Sequence, residues 1–331
     1  MFDKKEGCEM EGARILVNTC ACVKPGEHIV VLTDTNEISV AEYVVAAAKE
    51  KNAETVLIVM SPRSAHGEEP PKTVAAALKE ADVVFAVTTF SLFHTKARHE
   101  ACKNGARWVN MPDFRREMLC SGGIYADFSG IRPLVDKLSS ILSEESKVKV
   151  ITDKGTDIEF SIEGRRAVPQ YGVSDKPGMI SSPPDIETAV APVEGTAQGK
   201  IVVDGSIVLP GIGPLPEGKE VVLTVKDGFI TEIEGGEEAK KFKEVLEKAN
   251  EPSVYNIGEF GVGFNPKCRL TGNMLEDEGV YGTIHFGIGN NATIGGLTKA
   301  PMHIDVIIKE PTVIVDGKVV IDHGDHVYAK W

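Results

Sequence analysis

Two short phrases of this chain carry side chains able to bind a divalent cation at matched positions. Glu259-Phe-Gly-Val-Gly-Phe-Asn and His285-Phe-Gly-Ile-Gly-Asn-Asn share the form X-Phe-Gly-aliphatic-Gly-x-Asn and lie 26 residues apart, with Glu and His in the same register. Two glycine-rich strand ends that each deliver a ligand suit a shared cation site; tight turns are the alternative reading. A second phrase, Met302-His303-Ile304-Asp305-Val306-Ile307-Ile308, has strand periodicity. Period two puts His303 and Asp305 on one face and Met302, Ile304 and Val306 on the other. Imidazole and carboxylate on an apolar strand need compensation, from a cation or from a hydrogen bond between the two. Glu187 is a third candidate, in an extended segment between Pro184 and Pro192; Glu187 and Glu194 read as solvated when taken alone.

Other polar residues cluster around these phrases. Glu276, Asp277 and Glu278 form an acidic run before His285, and Glu278 is either part of a solvated turn or a carboxylate that supports a ligand or acts as a base. Asn265 and Asn290 are read as holders of the glycine-rich loops. Arg165 follows a hairpin and is the candidate for a substrate carboxylate or for pairing with an acidic ligand. His323 and His326 belong to a polar turn after the last strand pair, and His66, His94 and His99 read as surface residues.

The elements that must position these residues fall into two halves. From 9 to 146 apolar runs of strand length (28–34, 54–60, 82–87 and 108–111) alternate with helical patterns at 40–51, 73–81, 93–105 and 132–146. That alternation predicts a doubly wound α/β domain with a parallel sheet covered on both faces. After 147 strand pairs with tight turns take over, at Asp153-Lys154-Gly155, Asp204-Gly205, Asp227-Gly228 and Asp316-Gly317, with one helix at 237–249. This half is predicted to be mainly antiparallel β, barrel-like, and to carry the metal site. The expected domains are therefore 1–146, a scaffold, and 147–331, catalytic.

Composition narrows the function. A net charge of −13 disfavours nucleic acid and anionic membranes as partners. No G-x-x-x-x-G-K-[ST] occurs and no G-x-G-x-x-G follows the first strand, so a nucleotide enzyme is disfavoured. The first residues lack the pattern of a signal peptide and no long apolar stretch exists, which predicts a soluble cytoplasmic protein. Six cysteines are too scattered for a disulfide framework, and Cys20 and Cys22 read as reduced packing residues.

The ordered set Pro-x-x-Glu-x-x-x-Ala-Pro-Val-Glu-Gly, Gly-Glu-Phe, His-x-x-x-Gly and His-x-Asp resembles the thermophilic metallopeptidase family that includes aminopeptidases T and S, as does the hairpin Lys154-Gly155-Thr156-Asp157 with Gly164-Arg165. The resemblance implies a homodimer with two divalent cations (zinc, cobalt or manganese) held by Glu187, Glu259, His285, His303 and Asp305. It implies removal of N-terminal residues from short peptides by a metal-activated water, with Glu187 or Glu259 as the proton shuttle. Two departures stand out: Ala292 occupies the place of the family's tyrosine ligand, and the interval from His285 to His303 is shorter. The 2,5-dihydroxypyridine dioxygenases of the same superfamily are also resembled, in GVGFNP (261–266) and HFGIGNN (285–291). They imply one Fe(II) on Glu259, His303 and Asp305, with Glu259 standing where those enzymes have histidine. One histidine with two carboxylates favours the hydrolase over the dioxygenase on ligand chemistry; a non-catalytic metal-binding or ligand-binding protein is the third possibility.

Overall fold

The computed structural model describes residues 7–330, and the chain divides into two compact units: residues up to Phe128 with Gln170–Asp185, and Ser129–Pro169 with Ile186 onward. The division lies upstream of the composition change at 147. The long helix belongs to the second unit: Ser139 Oγ meets Thr188 Oγ1 at 2.7 Å, and Ser143 Oγ accepts from Ala167 N at 3.0 Å.

In the first unit, strands β1 (His28–Asp34), β2 (Glu54–Met60), β3 (Val83–Thr88) and β4 (Arg107–Pro112) alternate with helices α1 (Cys8–Ile15), α2 (Ile38–Glu50), α3 (Lys72–Leu78) and α4 (Lys96–Lys103). They form a parallel sheet in the order β2-β1-β3-β4, extended by a short strand at Ile180–Ser181. The order reverses at β1, as the doubly wound reading requires. β3 and β4 are buried along their whole length; β3 accordingly runs apolar without alternation up to Thr88, whereas β4 also buries Arg107 and Asn110. Cys8 and Cys120 form a disulfide across a separation of 112 residues, a single pair that spacing alone does not reveal. Cys20 is buried and Cys22 half-buried, and neither forms a disulfide. No helix among the described residues is long and apolar enough to cross a membrane.

The second unit opens with α5 (Phe128–Glu144) and continues through β5 (Lys147–Ile151), β6 (Asp157–Ser161), β7 (Glu187–Val190), β8 (Gln198–Val203), β9 (Val221–Lys226), β10 (Phe229–Glu234), α6 (Glu237–Ala249), β11 (Ile257–Gly263), β12 (Thr283–Gly289), β13 (His303–Lys309), β14 (Thr312–Val315) and β15 (Lys318–Asp322). Two separate sheets result, where the sequence suggested one barrel-like sheet. One has the order β10-β9-β8-β6-β5-β14-β15; the other contains β13-β12-β11-β7 as consecutive antiparallel neighbours. The Asp204-Gly205 turn does not close a hairpin. β8 ends at Val203 beside β9, whereas Ser206 and Ile207 pair with Ile307 and Val306 of β13, so this turn carries the chain from one sheet to the other.

The sheets meet through aromatic rings. Phe160 of β6 packs on Phe260 and Phe286 at centroid distances of 5.3 and 5.9 Å, and those two lie 5.8 Å apart. Burying each ring stabilises the stack by about 1.5–3 kcal/mol. In both copies of the repeat the phenylalanine follows the candidate ligand, so strand alternation sends the ring into the core and the ligand to the opposite face.

His326, read from sequence as part of a polar turn, is buried among Phe264, Tyr281 and Tyr328. The Tyr328 hydroxyl donates to Leu134 O at 3.1 Å and therefore accepts from His326 Nδ1 at 3.2 Å, leaving the buried Nε2 without a hydrogen-bond partner. Burial pushes the imidazole down from 6.5 to about 4. The folded state thus favours neutral His326: its contribution is complete above the unfolded value near 6.5 and is lost as pH falls toward 4, about 3 kcal/mol in all. Thermal melts from pH 7 to pH 4 should show a shallower acid destabilisation in His326→Gln than in the parent; parallel curves would contradict this assignment.

Candidate metal centre

All five ligand candidates lie on one face of four adjacent strands. Glu187 opens β7, Glu259 sits in β11, His285 in β12, and His303 and Asp305 in β13. His285 Nε2 is 3.3 Å from Glu187 Oε2 and 3.7 Å from Glu259 Oε1, while His303 Nε2 is 3.2 Å from Glu259 Oε2 and 3.1 Å from Asp305 Oδ1. Two groups follow, each with donor atoms within 4.8 Å of one another: Glu187, Glu259 and His285, and Glu259, His303 and Asp305. Glu259 is common to both.

The glycines of the repeat explain how so many side chains share one face. In the antiparallel register Glu187 faces Gly263, Glu259 and Asp305 both face Gly287, His285 faces Gly261, and His303 faces Gly289. A Cβ on Gly261 would lie 2.0 Å from His285 Nε2; one on Gly287 would lie 2.5 Å from His303 Nε2 and 2.7 Å from Glu259 Cβ. The glycines therefore make space for side chains of neighbouring strands. The signal was present in the sequence: when two copies of X-Phe-Gly pair antiparallel, each X can fall opposite the other's glycine.

Glu187, Glu259, His285 and Asp305 are buried, and only His303 reaches solvent, with its side chain 31% exposed. Burial, with Glu259 and Asp305 nearby, pushes the Glu187 carboxyl well above the usual carboxylate range. Burial also pushes Glu259 up, but hydrogen bonds from His285 and His303 outweigh it and hold the carboxylate ionised. Asp305 is likewise held low by His303 against its burial, and His303 is raised by Asp305 and Glu259 against its own. Glu187 Oε2 is buried and accepts no hydrogen bond. A buried oxygen without a donor, beside ionised carboxylates and imidazoles, fits a divalent first-row cation.

The supporting candidates divide. Glu278 brings a carboxylate oxygen within 4.8 Å of one on Glu187. Asn265 ties down the adjacent loop: its N donates to Gly279 O at 2.7 Å, its O accepts from Tyr281 N at 3.1 Å, and its Oδ1 accepts from Lys267 N at 3.0 Å. Asn290 acts through its backbone, its carbonyl accepting from His303 Nδ1 at 2.7 Å. Arg165 pairs with Glu194 and with Gly295 O, not with any of the five. Glu194, which reads as solvated in the sequence, is thus an anchoring residue that no local pattern exposes. Ala292 begins a short turn, Ala292–Ile294, in the segment between β12 and β13.

A family model described as NicX, 2,5-dihydroxypyridine 5,6-dioxygenase, matches residues 14–328. A curated 2,5-dihydroxypyridine 5,6-dioxygenase of Pseudomonas putida KT2440 is 30% identical over 270 residues, covering 76% of this chain and 72% of that protein. Among solved structures, 2,5-dihydroxypyridine dioxygenase from Pseudomonas putida KT2440 superposes with a TM-score of 0.81 at 23% identity, covering 98% of each chain. Wild-type AmpT from Thermus thermophilus superposes at 0.69 with 14% identity, covering 97% of this chain and 99% of that one. At these identities the two structural likenesses speak to the fold.

Proposed function

The chain belongs to the NicX family of 2,5-dihydroxypyridine 5,6-dioxygenases, and from that membership we propose that it is a metal-dependent, ring-cleaving dioxygenase acting on a dihydroxylated pyridine or a close analogue. The peptidase expectation is corrected by this membership: the hydrolase, aminopeptidase and proteolysis readings followed the motif resemblance and were ranked above the dioxygenase on ligand chemistry, and donor type alone does not choose between reactions on a shared fold.

The observation that carries the proposal is the placement of Glu259, His303 and Asp305 around one point at the solvent-reached edge of the face. These three would hold Fe(II), which when bound supplies the one-electron chemistry that activates dioxygen. One histidine with two carboxylates replaces the more usual pair of histidines with one carboxylate, and Glu259 is the residue that differs. Glu187, Glu259 and His285 form the neighbouring group, whose imidazole and carboxyls can pass on the proton of a ring hydroxyl. His303 Nδ1–H, bound to the Asn290 carbonyl, fixes the ring plane, and the phenylalanines beneath keep water from the far side of the sheet.

The test is oxygen uptake by protein loaded anaerobically with Fe(II) and mixed with 2,5-dihydroxypyridine. Equimolar loss of oxygen and of the aromatic absorbance is expected, with no uptake by a zinc-loaded control. An iron-loaded protein that leaves the pyridine and the oxygen untouched would contradict the proposal.

A further inference from the structure

We propose that Glu194 and Arg165 are positioning residues: they clamp the segment between β12 and β13 so that His303 presents Nε2, with Nδ1 protonated, to a metal. The inference rests on the metal-site reading above and concerns how one ligand is held.

The clamp has two arms. Glu194 Oε1 accepts from Leu297 N at 2.6 Å and from Asn291 Nδ2 at 2.9 Å, and Oε2 accepts from Arg165. Arg165 donates its other terminal nitrogen to Gly295 O. Asn291, fully buried, passes the restraint along, its Oδ1 accepting from Thr298 N at 2.8 Å. The ends of the segment are joined as well: Asn290 N donates to Met302 O at 2.9 Å, and Asn290 O accepts from His303 Nδ1 at 2.7 Å.

A carbonyl oxygen can only accept, so Nδ1 carries a proton. That leaves Nε2 facing Glu259 and Asp305, at 3.2 and 3.1 Å. The orientation of His303 therefore depends on where the Asn290 carbonyl points, and the clamp is what restrains the segment that begins there. Arg165 and Glu194 are well suited to this task, with side chains 12% and 22% exposed and hydrogen bonds that are charge-assisted. The clamped segment supplies no strand to either sheet, and its Leu297 is 79% exposed, so loosening it leaves the core packing in place.

The experiment uses Glu194→Ala, Glu194→Gln and Arg165→Met in the full chain. Metal-free protein is titrated with Co(II), followed by absorbance, and the His303 Nδ1–H hydrogen bond is read from its 1H and 15N shifts in the same metal-free protein. Glu194→Ala and Arg165→Met should weaken Co(II) binding about 10- to 100-fold, the usual cost of losing a group that orients a ligand. They should also blur the Nδ1–H signature, with melting temperatures close to the parent. Glu194→Gln, which still accepts from Leu297 N, should fall between. Parent-like Co(II) affinity and an unchanged Nδ1–H signal in both clamp-breaking variants would overturn the inference. A parent protein that binds no Co(II) would overturn the metal-site reading instead, while the 1H and 15N shifts would still decide whether the clamp holds the Nδ1–H bond.

Discussion

Gly287→Ala is expected to empty the metal centre without unfolding the protein. A Cβ at this position would lie 2.4 Å from His303 Cε1, 2.5 Å from His303 Nε2 and 2.7 Å from Glu259 Cβ, distances that side chains do not tolerate. Gly287 faces Glu259 on one side and Asp305 on the other, so the methyl group intrudes among three of the five donors at once. Its backbone conformation suits alanine, and the opposite face of β12, with Phe286 and Ile288, is untouched. The stability cost is that of local overpacking, about 1–3 kcal/mol, whereas metal binding and turnover should fall below detection. Gly261→Ala should act on His285 alone, since its Cβ would sit 2.0 Å from Nε2. Elemental analysis and a thermal melt of each variant check this, and a Gly287→Ala protein carrying its full metal complement would show that the space is not needed.

The second large effect separates the two donor groups. Asp305→Asn keeps the shape of the side chain but removes the charge that holds His303 in place at 3.1 Å. It should cost more metal affinity than the about 100-fold set by the outermost supporting contacts, and abolish oxygen uptake. Glu187→Gln should retain the metal, because Glu187 belongs to the other group, and should lose rate through its position beside His285, 3.3 Å away. Equal loss of metal from both variants would mean that the five donors act as one indivisible cluster.

How much of this was legible in the sequence depended on the range of the interaction involved. The strand at 28–34 and the helix at 237–249 stand where local periodicity puts them, because burial along one strand or one helix face is written in consecutive residues; 54–60 is also a strand where expected, although Met60 is its only buried residue. Asp204-Gly205 carries the same turn chemistry as Asp316-Gly317, yet only the latter closes a hairpin; which strand pairs next is decided by the sheet and not by the turn. The donor residues were visible by type, and strand alternation placed His303 beside Asp305. What the repeat concealed was register: only when β11 and β12 are known to be antiparallel neighbours do the glycines become floor space for the ligands. Glu194 was invisible for a related reason, since its partners lie 29, 97 and 103 residues away. The reaction itself was misread because carboxylates and imidazoles suit hydrolytic and oxidative centres alike, and the family relationship supplied what donor chemistry could not.

The most direct test of the account is the metal content of protein purified anaerobically and without chelator, measured in parallel for the parent and for Asp305→Asn. About one iron per chain is expected in the parent and essentially none in the variant, as a single centre on Glu259, His303 and Asp305 requires. About two equivalents of zinc or cobalt in the parent, with no iron and no uptake of oxygen on adding the pyridine, would contradict it.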